Sequence, residues 1–299
     1  MSERLLSWRI KACIIFGKPR NSASEVVFMQ SEAPRAAVRE GEIGMLTQEQ
    51  LKQYDEQGYI IMEHLFSEAE MDGIRCHIDA LDEASSRRLE QGRDFISQAN
   101  QINFTSHLNY QHPDLQRFIA DDRFVAITTA ILGPNTRLYW DQSVYKRPEA
   151  SRDFPWHQDN GYVPTEPVHY VTCWLALEDA TIANGCIWVQ PESHKQGFVE
   201  HVYSEIGYVC YQGEDPGIPV ELKKGSMVVF HSLLFHRSTP NRSQTTRKGY
   251  VIQYSVTGAF NPDTGKEFLS GPLIAKNGQS AYNGFVTQAQ VEQGEHFHA

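Results

Sequence analysis

One short stretch, Trp156-His157-Gln158-Asp159, constrains this chain more than any other. His157 and Asp159 are two residues apart. On an extended strand that spacing puts both side chains on one face. An imidazole nitrogen and a carboxylate oxygen can then converge on a single point. Together they form two-thirds of a 2-His-1-carboxylate facial triad, the donor set that holds non-haem Fe(II) and leaves coordination positions open. An isolated H-x-D is also compatible with a strand-edge histidine hydrogen-bonded to a neighbouring aspartate, so the rest of the chain must decide.

The missing ligand is expected on a later strand, and two histidines qualify. The run from Gly225 to Ser238 contains His231 and His236. They are separated by an odd number of residues, so a continuous strand would point them to opposite faces. Only one of them can share a face with the H-x-D pair, and the spacing alone leaves both open. Arg247 follows His236 by eleven residues. A strand, a turn and a return strand would bring its guanidinium back beside His236, where it could bind a carboxylate in bidentate fashion. His194 and His169 are read as structural or strand-edge residues. His296 and His298 lie in a terminal segment of the kind that is usually mobile.

The surrounding pattern is a helical front half followed by a β-rich back half. Thr47-x-x-Gln50 and Ser67-x-x-Glu70 are capping boxes. The first opens a helix through Leu51 and Tyr54 that Gly58 ends; Tyr59 to Met62 then reads as a strand. The second opens a helix whose apolar face is Met71, Ile74, Ile78 and Leu81. Residues 85 to 110 read as polar and irregular. A long helix is expected from Pro113 to Leu132, stopped by Gly133-Pro134-Asn135. Short β-rich runs follow at Arg137–Lys146, His169–Leu177, Cys186–Gln190, Ile218–Leu222, Ser226–Phe230 and Tyr250–Val256, the spacing of an antiparallel sandwich or barrel. Asn184-Gly185 reads as a turn, and the tail after Pro262 as irregular. Residues 1–44 form an N-terminal extension and 45–299 one catalytic domain.

The formal net charge of −10 argues against nucleic acid or an anionic membrane as the main partner. No run approaches the roughly 18 apolar residues of a membrane span. The five cysteines are scattered without a C-x-x-C pair, which reads as reduced thiols in a cytoplasmic protein.

Several pieces in order resemble the phytanoyl-CoA hydroxylase-like branch of the Fe(II)/2-oxoglutarate-dependent dioxygenases. They are Gly133-Pro134-Asn135, Trp156-His157-Gln158-Asp159, Cys173-Trp174-Leu175-Ala176-Leu177, Asn184-Gly185-Cys186, Pro191-Glu192-Ser193-His194-Lys195 and His236-Arg237-Ser238 with Arg247. They span roughly residues 45 to 258. The resemblance implies a mainly β fold with flanking helices, a double-stranded β-helix or cupin-like jelly-roll barrel. It implies Fe(II) held by His157, Asp159 and His236, with 2-oxoglutarate and O₂ as cosubstrates. Arg247 would pair with the distal carboxylate of 2-oxoglutarate, Ser238 would hydrogen-bond beside it, and Trp174 and Gln142 would line the cosubstrate pocket. Some members carry a lysine upstream; here the stretch Gln101 to Tyr110 has Asn103, Thr105 and His107 instead. Related halogenases have a small residue where Asp159 stands, so the carboxylate favours hydroxylation or another oxidative outcome over halogenation. The expected partner is a small-molecule substrate, and the expected assembly a monomer or homodimer. Asn103, Tyr145, Trp156 and Tyr162 are candidate substrate contacts, chosen for nearness to the metal motif and for polar or aromatic character. Two other readings are a cupin-type metalloenzyme that does not use 2-oxoglutarate and a non-catalytic small-molecule binding protein on the same barrel.

Overall fold

The computed structural model describes residues 46–90, 97–99, 102–148 and 152–292. The expected extension over 1–44, and the terminal His296 and His298, lie outside these residues. In chain order the helices and strands begin with α1 (Gln48–Gln57), β1 (Tyr59–Met62), α2 (Glu68–Glu90), β2 (Ser97–Ala99), β3 (Ile102–Ser106), α3 (Pro113–Ile119) and α4 (Asp122–Leu132). The strands β4 (Thr136–Lys146), β5 (Phe154–His157), β6 (Val171–Ala176), β7 (Ile187–Val189), β8 (Val202–Ser204), β9 (Gly207–Val209) and β10 (Ile218–Val220) follow. The rest are β11 (Met227–His231), β12 (His236–Ser238), β13 (Arg247–Val256), β14 (Phe260–Asn261), β15 (Lys266–Glu267), β16 (Leu273–Lys276), β17 (Gln279–Ser280) and α5 (Gln288–Glu292).

Two antiparallel sheets form the jelly roll. The larger runs β1-β11-β6-β13-β4-β16-β17, with β3 also paired to β4 and β2 to β3. The smaller runs β10-β7-β12-β5. Strand alternation divides every long strand between two cores. On the larger sheet Val171, Cys173, Leu175, Tyr250, Ile252 and Tyr254 face outward and pack with Leu51, Met71, Ile78, Phe118 and Phe124 of the helices. Trp174, Ala176, Val228, Phe230 and Val251 face the other way and meet Ile187 and Val189 of the smaller sheet. The helices therefore cover one face and leave the space between the sheets for a site.

Local chemistry explains the helix boundaries. Both arms of the Thr47–Gln50 capping box form, and Gly58 closes α1 with φ 84° and an N–H donated to the Tyr54 carbonyl. Ser67 and Glu70 exchange the matching bonds ahead of α2.

Three expectations need correction. The long helix over Pro113–Leu132 is two helices, because the Asp121 side chain accepts from the Arg123 N–H and starts α4 afresh. The stretch 85–110 is not irregular throughout: α2 runs to Glu90, and Ile102–Ser106 pairs with β4 as β3. The tail also contributes a strand, since Leu273 and Ala275 of β16 pair with the start of β4. Among the described residues no helix is long and apolar enough to cross a membrane.

Candidate metal and cosubstrate site

His157 is the last residue of β5, and Asp159 opens a single 3₁₀ turn over Asp159–Gly161. The two do not sit on one continuous strand, as the spacing suggested; the turn folds the carboxylate back toward the imidazole. β12 lies beside β5 with His236 directly opposite His157. The Asp159 Oδ1 is 3.8 Å from His157 Nε2 and 3.4 Å from His236 Nε2. The two rings lie 4.0 Å apart. A carboxylate oxygen and two imidazole nitrogens thus converge on one buried point.

The second atoms of each ligand are already engaged, and this fixes which atom is free. His157 Nδ1 is 2.8 Å from the Pro155 carbonyl, and His236 Nδ1 is 3.0 Å from the Leu234 carbonyl. A carbonyl can only accept, so both Nδ1 atoms carry the proton and both Nε2 lone pairs face the shared point. Asp159 Oδ2 accepts from the Thr172 hydroxyl at 2.6 Å and from Gln253 Nε2 at 2.9 Å, leaving Oδ1 to the cluster. Burial and the facing His236 push His157 down to about 3. Burial alone would raise the Asp159 carboxyl, but the two imidazoles and the Thr172 hydroxyl hold it at about 2. Near neutral pH the group therefore presents a neutral His157 and a carboxylate, the protonation states that metal binding needs.

Thr172, Gln253 and Gln158 were not found from the sequence. The signal was present for two: Thr172 shares the inward face of β6 with Trp174, and Gln253 that of β13 with Arg247 and Val251. Gln158, between the two candidate ligands, points the other way and is fully buried. Its amide donates to the Gly197 and Leu233 carbonyls and accepts from the Val199 N–H, anchoring the turn from three sides. Such outer partners typically change metal affinity about 10- to 100-fold when removed. Gln253→Leu is therefore expected to weaken Fe(II) binding by about that factor while the fold persists, which an anaerobic metal titration against wild type would measure.

A cavity of about 420 Å³ opens from this cluster between the sheets. Arg247, Ser238, Trp174, Gln142 and Tyr162 all line it. Arg247 does not arrive by a simple return strand: β12 belongs to the smaller sheet and β13 to the larger, so the guanidinium reaches the cavity from the opposite wall. It is 1% exposed, donates only to the Gly185 and Val144 carbonyls, and leaves Nε without a partner. It lies 5.0 Å from the Trp174 ring. Burial pushes it down to about 10. It makes no ion pair with any described residue.

Three candidate substrate residues do not reach the cavity. Tyr145 and Asn103 are cross-strand partners on the outward face, one residue out of phase with the inward Val144, Ile102 and Phe104. Tyr145 donates to Asp79 and Asn103 to Asp82, both on α2. Trp156 packs behind β5 against Tyr211, under the Arg237 guanidinium at 4.9 Å. Nearness in sequence failed here because strand alternation decides which wall a residue faces. Tyr162, by contrast, is 42% exposed at the mouth, with its ring edge-on to His157 at 5.6 Å. Val163 and Ile206 line the cavity with it, and Tyr139, Trp140 and Tyr170 line it too, with Tyr139 and Tyr170 buried in the wall.

The structural histidines form their own stack. His231 and His169 lie parallel at 4.0 Å, and His231 is pushed down to about 2 by burial and its histidine neighbours. β11 ends at His231, and a turn carries the chain across to the other sheet before His236. A second His/His/Asp group, His77, His112 and Asp114, sits nearer the surface. Its imidazoles are stacked at 3.7 Å, with Asp114 Oδ2 3.6 Å from His77 Nε2 and 3.7 Å from His112 Nδ1. His112 Nδ1 caps the Asp114 N–H and Asp114 holds Arg117, which makes it the start of α3.

A jelly roll enclosing a buried His/Asp/His cluster is the architecture of non-haem iron oxygenases. The family model described as phytanoyl-CoA dioxygenase (PhyH) matches residues 54–249. A phytanoyl-CoA dioxygenase of Arabidopsis thaliana is 25% identical over 253 residues, 71% of this chain and 89% of that protein. The peroxisomal phytanoyl-CoA dioxygenase of Rattus norvegicus is 26% identical over 254 residues, 75% of each. Among solved structures, the α-ketoglutarate-dependent carbocyclase SnoK superposes with TM-score 0.59 at 21% identity, covering 72% of this chain and 86% of that one. The epimerase SnoN, in complex with Fe3+, α-ketoglutarate and nogalamycin RO, gives 0.57 at 18%, covering 77% and 94%. The chain belongs to the phytanoyl-CoA dioxygenase family and is a 2-oxoglutarate-dependent non-haem iron dioxygenase.

Proposed function

We propose that His157, Asp159 and His236 hold Fe(II) and that Arg247, with Ser238, seats the distal carboxylate of 2-oxoglutarate. The reaction we infer is hydroxylation of an unactivated C–H bond in a small molecule. One observation carries this reading: a buried guanidinium without an anionic partner among the described residues shares a cavity with a two-histidine, one-carboxylate cluster. A buried cation without a counter-charge is costly, and a dicarboxylate reaching from the metal to Arg247 would supply it. A cupin-type site without 2-oxoglutarate, or a binding protein, has no use for that arrangement.

When bound, iron, 2-oxoglutarate and O₂ supply the oxidising chemistry, with release of succinate and CO₂. The residues do the rest. Thr172 and Gln253 hold Asp159 so that one carboxylate oxygen is presented. Trp174 backs Arg247 and Gly249, where a Cβ would come within 2.3 Å of the indole, and so closes the inner end. Tyr139, Trp140, Tyr162, Val163, Tyr170 and Ile206 receive the substrate. That mouth is aromatic and neutral, and the cation nearest it, Arg237, is paired with Asp153. The part of the substrate held by these residues is therefore apolar.

Anaerobic addition of Fe(II) and then 2-oxoglutarate to the apoprotein tests the cosubstrate assignment. A weak visible charge-transfer band, followed by succinate release on admitting O₂, is the expected result. Iron binding without a band would overturn the 2-oxoglutarate reading. Product analysis with apolar candidate substrates then separates hydroxylation from the ring-forming and epimerising outcomes named for the structural neighbours.

A further inference from the structure

We propose that Lys146 is a positioning residue of the 2-oxoglutarate site, acting through Ser238; this rests on the reading of Arg247 given above. Lys146 is the last residue of β4 and follows Gln142 and Val144 at two-residue intervals, on the face turned between the sheets. It stands directly across from Arg247 in the β4–β13 register. It is 0% exposed. Its ammonium donates to Ser238 Oγ at 3.0 Å, to the Ser238 carbonyl at 3.1 Å and to the Thr239 carbonyl. It makes no ion pair with any described residue.

Two fully buried basic groups therefore sit side by side, hydrogen-bonded only to uncharged oxygens. Each disfavours the other, and burial together with Arg247 pushes Lys146 down to about 7. Such a pair is stable only when something offsets it. An anion in the cavity would satisfy both.

The hydrogen-bond bookkeeping gives Lys146 a specific task. In the charged form, which an anion in the cavity favours, the Lys146 ammonium can only donate, so Ser238 Oγ accepts from it. The hydroxyl proton is then free for a second partner, and Ser238 lines the cavity. Lys146 thus orients the hydroxyl to donate into the cavity and polarises it as a donor. It also ties the larger sheet to the Ser238–Thr239 segment of the smaller one, fixing the gap that a carboxylate must fill.

The Asn184-Gly185 turn completes the corner. The Gly185 carbonyl accepts from Arg247 at 2.9 Å. At Gly185, with φ 82°, a Cβ would lie 3.1 Å from the Lys146 side chain and 2.4 Å from the Thr239 carbonyl. Glycine therefore keeps the turn close against the Thr239 carbonyl and the Lys146 side chain.

The test compares wild type, Lys146→Met, Lys146→Gln, Ser238→Ala and the Lys146→Met/Ser238→Ala double variant. Each is loaded anaerobically with Fe(II) and titrated, by the charge-transfer band, with 2-oxoglutarate and with 2-oxopentanoate, which lacks the distal carboxylate. Lys146→Met should weaken 2-oxoglutarate about 10- to 100-fold, in line with other outer-partner losses. Binding of Fe(II) and of 2-oxopentanoate should be unchanged. Lys146→Gln should recover part of the loss, because its amide can still donate to Ser238. In the Ser238→Ala background the effect of Lys146→Met should shrink, as expected if the lysine works through the hydroxyl. Equal weakening of both oxoacids, or no weakening, would overturn the proposal. Lys146→Gln, which keeps an amide donor for the Ser238 and Thr239 oxygens, gives the selectivity readout if Lys146→Met does not fold. An equal effect of Lys146→Gln on 2-oxoglutarate binding in the wild-type and Ser238→Ala backgrounds would then overturn the proposal. Absence of a 2-oxoglutarate band in wild type would instead sink the parent reading.

Discussion

Asp159→Ala is expected to lower Fe(II) affinity and turnover by well over 100-fold while leaving the fold in place. The lower bound follows from outer partners: losing one of those costs about 10- to 100-fold, and a direct ligand contributes more. Asp159 supplies the cluster's one negative charge, so the variant would leave a dication facing two neutral imidazoles. The fold should survive because Asp159 lies on the cavity wall. Deleting its carboxylate frees the Thr172 hydroxyl and the Gln253 amide, and water entering the cavity can satisfy both. His157→Ala should behave alike in metal binding. Circular dichroism, anaerobic Fe(II) titration and succinate release separate these effects. Turnover within about tenfold of wild type in either variant would exclude the metal assignment, since even an outer partner is worth that much.

Much of the site was legible because it is written in residue types with few other uses. His157, Asp159, His236 and Arg247 were named from the sequence and line one cavity, although a 3₁₀ turn and not a shared strand places Asp159, and the opposite sheet and not a return strand places Arg247. What the sequence hid was which wall each strand presents. Tyr145 and Gln142 belong to the same strand, yet Gln142 lines the cavity and Tyr145 binds Asp79 on the helical side. One residue of phase decides it, and phase is set by the whole sheet. Lys146 escaped notice for a related reason: a lysine at a strand end usually reads as a solvated terminus, and only the crossing of β12 over it makes it buried. The break at Asp121 was readable as a cap, but the apolar spacing of Leu115, Phe118, Phe124 and Ile127 continued through it and masked it. β16 carries little signal of its own because it is short and ordered mainly by pairing with β4.

Arg247→Met should separate function from stability. In the folded protein Arg247 binds two carbonyls and no anion, so the apoprotein carries the cost of burying a charge without the return of an ion pair. Replacing buried charged groups by apolar ones of similar volume is often neutral or stabilising, by about 1–4 kcal/mol. Against that, the Gly185 carbonyl loses its donor, at a cost of about 1–3 kcal/mol. The two nearly cancel, so apo Arg247→Met should unfold close to the wild-type temperature. Cosubstrate binding should behave in the opposite way. Truncating one partner of a buried charge pair costs about 2–5 kcal/mol, a loss of roughly 30- to several-thousand-fold in 2-oxoglutarate affinity. A thermal-shift series with Fe(II) present reads both quantities together. Wild type at 100 times its dissociation constant should gain about 2.7 kcal/mol from the cosubstrate, and the variant at the same concentration no more than about 0.9 kcal/mol, falling to nearly zero at the upper end of that range. If 2-oxoglutarate stabilises the variant as much as wild type, another residue seats the distal carboxylate. If the apo variant is itself strongly destabilised, Arg247 is a structural cation whose carbonyl bonds matter more than the charge it leaves unanswered.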